Sequence, residues 1–299
     1  MATLRELKGR IGSVASSEKI TGAMKMISSA KMHKAEGVLR RLQPFRGCVR
    51  TVIGNLLSSD ASVSSPLTEV RTSLGRVAVV VFGSDDGLCG AYNVNIFKSM
   101  LATLGRIRQE CGEAVGFDIL PVGRKMRRAV EKIAASDSRI TLVDTTDVDS
   151  KSDGEKVKAF AMKLQSRFLA GEVDRVLLQY MHFHSAGKQV AVCDDYLPVS
   201  PQALADNPGT AVRQDRPYLF EPDAATIFGT VLPMYLLSVM QEAFAENRAS
   251  EQAARVMAMQ SANDNAHKLL EQLQLEYNKL RQQGITTELL DIVGGQVRD

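Results

Sequence analysis

The sequence has no tryptophan, and aromatic residues make up only 5% of its 299 positions. So little aromatic volume suits long helices packed in pairs better than a thick globular core. Cysteine is scarce and scattered: Cys48, Cys89, Cys111 and Cys193 form no CxxC pair and no metal-site spacing. That excludes a disulfide framework or a zinc ribbon and fits a reducing compartment. There is no G-x-x-x-x-G-K-[ST] loop, so a self-contained P-loop ATPase is not expected. No apolar run approaches the ~20 residues that span a bilayer. Any link to a membrane is therefore expected to run through another protein, with no direct insertion. The opening MATLRELKGRIGS enters an amphipathic pattern at once, with neither a signal h-region nor a Ser/Arg-rich transit leader. A net charge of +3 is too small to suggest a nucleic-acid partner.

What is present begins with periodicity. Residues 1–58 read as one long helix. Leu4, Leu7, Ile11 and Val14 are spaced in threes and fours, and after a slip the seam resumes as Val38, Leu42, Phe45, Val49, Val52 and Leu56. Such steps mark a coiled coil. Residues 1–50 carry eleven Lys or Arg against three acids, Glu6, Glu18 and Glu36. This predicts an acidic partner surface, or else a solvated basic face. The Ser-rich run 58–69 contains Pro66 and reads as a loop.

From residue 76 the period changes. RVAVVVFG (76–83) is a continuous β-branched run, as expected of a strand buried on both faces. Further strands are predicted at 117–123, 139–144, 173–185 and 188–199, and helices at 92–112, 123–136 and 155–170. This alternation over 70–200 predicts a small α/β domain with a mostly parallel sheet. A Pro/Asn/Gly-rich connection follows at 200–221. A second long helix is expected over 222–293, broken or bent near Pro233 and stopping before Gly294 and Gly295. Its seam is Ala249, Gln252, Val256, Met259, Asn263, Ala266, Leu270, Leu273, Tyr277 and Leu280. About 70 residues at 1.5 Å each give roughly 105 Å, more than a domain of this size needs for its own core. The predicted fold class is therefore α/β: an antiparallel coiled coil of two long terminal helices carrying an inserted Rossmann-like α/β domain. Gln252 and Asn263 in the seam weaken packing and fix register. The C-terminal helix is the longer of the two, so part of it should project alone and need a partner.

Gly83, Gly87 and Gly90 follow a buried strand and precede a helix, the position of a phosphate-binding turn in a dinucleotide fold. The spacing is not G-x-G-x-x-G, and Asp85 and Asp86 would repel a phosphate. Gly83, Gly87, Cys89 and Gly90 are therefore read as a structural turn, with Cys89 a small packed residue. His182 and His184 share a strand face but lack a third ligand, so no metal is expected. No cofactor and no catalytic residue is expected either.

Four blocks together resemble one family. ITGAMKMISSAKMHKA (20–35) is similar to the N-terminal helix of F-type ATP synthase gamma subunits. SDDGLCGAYN (84–93) resembles that family's strand-to-helix turn. SEQAARVMAMQSANDNA (250–266) and LEYNKLRQQGITTELLDIVGG (275–295) resemble its C-terminal helix. Asp86 departs from the basic residue usual beside GLCG, and Gly22 replaces a longer side chain. The closely spaced cysteine pair of chloroplast members is absent. The resemblance implies a non-catalytic rotor shaft that couples proton-driven rotation of a membrane c-ring to the catalytic beta subunits. It implies as partners a 3:3 ring of alpha and beta subunits, an epsilon subunit and the c-ring. Location at the cytoplasmic face of a bacterial plasma membrane follows, or alternatively at the matrix face of the mitochondrial inner membrane. Residue by residue it assigns beta-subunit contact to Met24, Lys25, Arg281, Gln282, Thr286 and Glu288. From the residues alone, two other readings stay open: a coiled-coil scaffold without rotation, and an α/β enzyme using the Gly83–Gly90 turn.

Overall fold

The structure is a computed structural model and describes residues 3–57, 64–71, 74–200 and 220–296. The expected connection at 200–221 and most of the expected loop at 58–69 lie outside these residues. Two units divide the chain: Met1–Ser29 with Arg255–Asp299, and Ala30–Ala254.

The elements run α1 (Leu4–Leu57), β1 (Arg76–Phe82), α2 (Tyr92–Cys111), β2 (Gly116–Val122), α3 (Arg124–Ala134), β3 (Ile140–Leu142), α4 (Gly154–Leu169), β4 (Arg175–Ser185), β5 (Lys188–Leu197) and α5 (Ala224–Gln296). A short 3-10 turn covers Pro66–Thr68.

Within Ala30–Ala254 the sheet order is β3-β2-β1-β4-β5. The first four strands are parallel and β5 is antiparallel to β4. Val77 to Phe82 are all fully buried, because a strand in mid-sheet with helices on both faces exposes neither row. Val77, Val79 and Val81 pack with Ile96, Met100 and Ile107 of α2 and Met126 and Val130 of α3. Ala78, Val80 and Phe82 pack with Phe160 and Leu164 of α4, Ile53 and Leu56 of α1, and Phe228, Leu232, Leu236 and Met240 of α5. The terminal helices thus supply one cover of the sheet. Phe82 makes an edge contact with Phe244 of α5, the ring centroids 4.9 Å apart.

α5 is continuous through Pro233, so the expected break is absent. A helical proline leaves the carbonyl four residues back without its donor. The buried row Phe228, Leu232, Leu236 and Met240 holds the helix across that gap. α5 also runs past Gly294 and Gly295 to Gln296, so the expected stop does not end it. By length and composition alone, one window within Ala224–Leu290 could cross a bilayer, contrary to the sequence expectation. Within the fold 28% of that window is buried.

The seam of α1 does not slip. Between Val14 and Val38 it passes through Glu18, Thr21, Met24, Ser28, Met32 and Ala35, all buried or half-buried. Polar and small residues hide this stretch from a search for apolar spacing. Leu4, Phe45 and Val52, assigned to the seam from sequence, are exposed; Arg46 and Ile53 take the inward places beside the last two. Arg46 is held there by an ion pair with Glu242. Every expected seam position of α5 from Ala249 to Leu280 is buried or half-buried.

Candidate partner-contact surfaces

In the unit of Met1–Ser29 and Arg255–Asp299 the two helix segments pair antiparallel. Asn263 donates its amide to the Glu18 carbonyl at 2.8 Å and lies 3.4 Å from the Thr21 hydroxyl. His267 Nδ1 meets Glu18 Oε1 at 2.9 Å. A Cβ on Gly22 would rest 3.5 Å from Asn263 Nδ2, an ordinary contact. Gly22 therefore sits under Asn263 inside an unbroken helix. The half-buried Asn263 thus bonds across the helix pair, the contact expected of a register-setting seam residue, whereas Gln252, expected to do the same, donates to its own neighbour Glu251. Hydrogen bonding to Glu18, reinforced by Glu271, raises the pKa of His267.

Outside the seam this unit is unusually apolar. Ile20, Met26 (74% exposed), Ile27, Leu275 (71%), Ile285, Leu289 and Leu290 all face out. A folded soluble chain rarely keeps so much apolar surface together unless a partner covers it.

The assigned contact residues fall on this unit. Arg281, Gln282, Thr286 and Glu288 are exposed, and Thr286 Oγ1 donates to the Gln282 carbonyl at 2.9 Å. Beyond Leu280 no side chain up to Leu290 is buried. Met24 and Lys25 are half-buried, Met24 within the seam, while the neighbours Met26 and Ile27 point out. The two groups are not brought together: Gly22 lies against Asn263, and Arg281 is roughly 27 Å further along α5 at 1.5 Å per residue. Sequence reasoning missed the outward apolar set. The available signal was apolar residues out of phase with the seam, such as Ile20 and Ile27, seven apart.

The Gly83–Gly90 turn belongs to the unit Ala30–Ala254. Gly83 abuts Met126, whose Cβ would be 2.6 Å from a Cβ added at 83. Its carbonyl accepts from the Asn247 amide at 3.2 Å, and Asn247 also bonds the Tyr92 hydroxyl. Gly90 has φ +59 and so uses the left-handed freedom of glycine. Gly87 has no crowding, the nearest atom being a Lys125 side-chain carbon at 3.9 Å. Cys89 is buried, with Asn93 Nδ2 at 3.4 Å and Ser84 Oγ at 3.7 Å from its sulfur.

Asp85 is buried rather than lining an open phosphate site. One oxygen accepts the first backbone N–H of α3, from Arg124, at 3.0 Å. The other accepts the Ser150 N–H at 3.1 Å and the Ser150 hydroxyl at 2.7 Å. A carboxylate thus already occupies the helix end where a phosphate would sit. Asp86 pairs with Arg124 at 3.3 Å and Lys151 at 3.1 Å, so the acid at this position is balanced locally.

His182 Nδ1 lies 3.0 Å from Glu246 Oε2, and the Phe183 N–H also donates to that carboxylate. Burial pushes the Glu246 carboxyl pKa up. His184 is exposed. Among the described residues no group of three or more His, Cys, Asp or Glu could hold a metal ion.

A family model described as ATP synthase matches residues 3–297. The ATP synthase gamma chain of Bacteroides thetaiotaomicron is 39% identical over 312 residues, covering all of both chains. That of Bacteroides fragilis is 41% identical over 303 residues, covering 99% of this chain and all of the relative. That of Chromobacterium violaceum is 35% identical over 296 residues, 99% of each. Among solved structures, a chain of the Euglena gracilis mitochondrial ATP synthase, in an assembly of OSCP, F1 and c-ring, superposes with a TM-score of 0.61 at 22% identity. It covers 98% of this chain and 93% of that one. A central stalk chain of the Tetrahymena thermophila mitochondrial enzyme gives 0.52 at 23% identity, over 81% of this chain and 99% of that one. The structural likeness carries the fold, and the sequence relatives and family model carry the assignment: the chain belongs to the ATP synthase gamma chain family.

Proposed function

We infer that this gamma chain, a subunit of the ATP synthase central-stalk rotor, transmits torque from a rotating membrane ring to catalytic sites held by other subunits. The carrying observation is the unit of Met1–Ser29 and Arg255–Asp299, whose helices satisfy their seam and yet leave Ile20, Met26, Ile27, Leu275, Ile285 and Leu289 uncovered. A sleeve of surrounding subunits would cover them. In this reading the sleeve is a 3:3 ring of alpha and beta subunits. The Ala30–Ala254 unit meets the epsilon subunit and the c-ring. The chain itself carries no catalytic residue and no cofactor, and it is peripheral to the cytoplasmic face of a bacterial plasma membrane.

The coupling is allosteric. A rotor with unequal sides stabilises a different beta-subunit conformation at each angle, and each conformation has its own nucleotide affinity. Arg281 and Gln282 offer a guanidinium fork and a donor–acceptor amide to a beta loop, with Thr286 and Glu288 beside them. Lys25 adds Coulomb attraction to an acidic loop, and Met24 shapes the seam beneath it. Such wet contacts are individually weak and salt-sensitive, which suits a part that breaks and remakes them at each step.

The test is purification of a tagged chain from its source. Co-purification of alpha and beta subunits in a 3:3:1 ratio with this chain, together with epsilon and c, is the expected result. A chain that purifies without them would refute the reading.

A further inference from the structure

Within the unit Ala30–Ala254, Glu246, Asn247, Arg248 and Ser250 of α5 each reach the end of the sheet where β1 stops. Asn247 donates its amide to the Gly83 carbonyl at 3.2 Å and accepts the hydroxyl of Tyr92, the first residue of α2. Arg248 donates to the Ser150 and Ser152 carbonyls, at 3.3 and 3.0 Å, in the connection before α4. Ser250 donates its hydroxyl to the Met181 carbonyl of β4 at 2.9 Å, and Glu246 accepts the Phe183 N–H of the same strand. Asn247 and Ser250 are buried. Ala249, between them and Arg248, packs with Ala35 and Leu39 of α1. At 3.6 residues per turn, positions 246 to 250 point to every side of the helix. Its whole circumference is therefore held within little more than one turn.

We infer that this polar collar is the torque-bearing joint of the chain: it fixes the angle of α5 about its own axis, so that rotation of the sheet domain passes into the helix without slip. The inference rests on the reading of the chain as a torque transmitter. Earlier in α5, Phe228, Leu232, Leu236 and Met240 hold the helix by one apolar row. Apolar attraction is non-directional, and a helix can roll or step by a turn across such a surface. Hydrogen bonds weaken steeply when their angle bends, and buried ones act in a low dielectric with no water to replace them. Rolling α5 would break its bonds to Gly83, Tyr92, β4 and the 150–152 connection together. Stability alone does not require this set, since apolar residues fill such places without the cost of burying polar groups. The collar also lies just before Arg255, where α5 leaves the unit Ala30–Ala254, so load carried along the helix enters the sheet domain here.

The test combines Tyr92→Phe with Arg248→Met, which remove polar bonds and keep much of the side-chain volume, in the full chain within the purified complex reconstituted in vesicles. ATP hydrolysis is measured with an uncoupler, where the rotor turns unloaded, and again at static head, where the gradient already built stops further pumping. Uncoupled hydrolysis should match wild type. Hydrolysis at static head should rise roughly tenfold, since the loss of several hydrogen bonds of ordinary net strength is worth at least one factor of ten in slip rate. The gradient reached should be smaller, with passive leak unchanged. Arg248→Met alone should give a smaller rise, and Arg248→Lys a value near wild type. Wild-type static-head hydrolysis in the assembled double variant, or a loss of its uncoupled hydrolysis, would overturn the inference. So would an equal rise in Leu236→Ala, which loosens the apolar row and leaves the collar intact. Failure of Arg248→Met to assemble would overturn it too, because the contact would then serve folding and not load. A wild-type complex that hydrolyses ATP and builds no gradient would overturn the torque reading itself and the inference with it.

Discussion

Gly123 lies against the backbone of Gly83: a Cβ at 123 would stand 2.9 Å from the Gly83 carbonyl oxygen and 3.1 Å from the Ser84 carbonyl carbon. Gly123 also has φ +99. Gly123→Ala therefore meets both a backbone clash and backbone strain and should cost about 2–4 kcal/mol. Gly87→Ala, where space is open, should be near neutral. Hydrogen exchange of β1 and β2 amides in the purified complex is the measurement. Equal protection in the two variants would show that the close approach of these loops is not energetically important.

Asp85 gathers the Arg124 N–H and two donors of Ser150. Asp85→Ala leaves all three without their acceptor and should destabilise the 123–150 region by about 2–4 kcal/mol. Denaturant unfolding of the chain, compared with Asp85→Asn, checks this, with Asn expected to retain part of the loss. Because the carboxylate fills the α3 end, the wild-type chain alone should show no calorimetric heat with ATP.

The His267–Glu18 contact links stability to pH. The folded pKa of His267 is raised, chiefly by its hydrogen bond to Glu18. Its contribution is therefore fully present below the unfolded value of about 6.5 and is lost as pH rises through the folded value. Thermal melts of the chain should show a loss over this window that His267→Ala flattens. A titration of labelled histidine should place His267 above its ordinary range and bring it down in Glu18→Gln. An identical pH profile in wild type and His267→Ala would exclude the linkage.

Arg281→Ala combined with Gln282→Ala should leave the complex assembled and slow its coupled turnover. Both side chains are exposed beyond the last seam residue, Leu280, so their loss opens no core. Hydrogen bonds involving a charged group contribute about 1.5–3 kcal/mol each, enough to alter a stepping rate strongly. Turnover and proton pumping are measured after the subunit ratio has been confirmed. Wild-type values in the assembled double variant would mark these residues as a solvated helix face.

The sequence made the sheet domain legible because its signals are local. RVAVVVFG is unmistakable as a two-face-buried strand, and each later strand or helix begins and ends within about two residues of its expected bounds. Long helices were legible in length and less so in facing. Glu18 and Thr21 turn inward because Asn263 and His267 supply partners from the other helix, which a single-helix pattern does not contain. Phe45 turns outward for the converse reason: Arg46 takes the inward place once Glu242 is opposite it. The crowding at Gly123 was invisible, since it depends on Gly83, forty residues away. The resemblance supplied the contact residues, whereas the outward apolar set required a phase comparison against a seam that only the structure completes.

The uncovered side chains Met26, Ile27, Leu275 and Leu289 also govern how the chain fares between synthesis and assembly. Surfaces of this kind are what chaperones hold and what quality-control proteases sample. A cell that makes more of this chain than of its partners should therefore lose the surplus by degradation, so that its abundance follows theirs without any dedicated regulator.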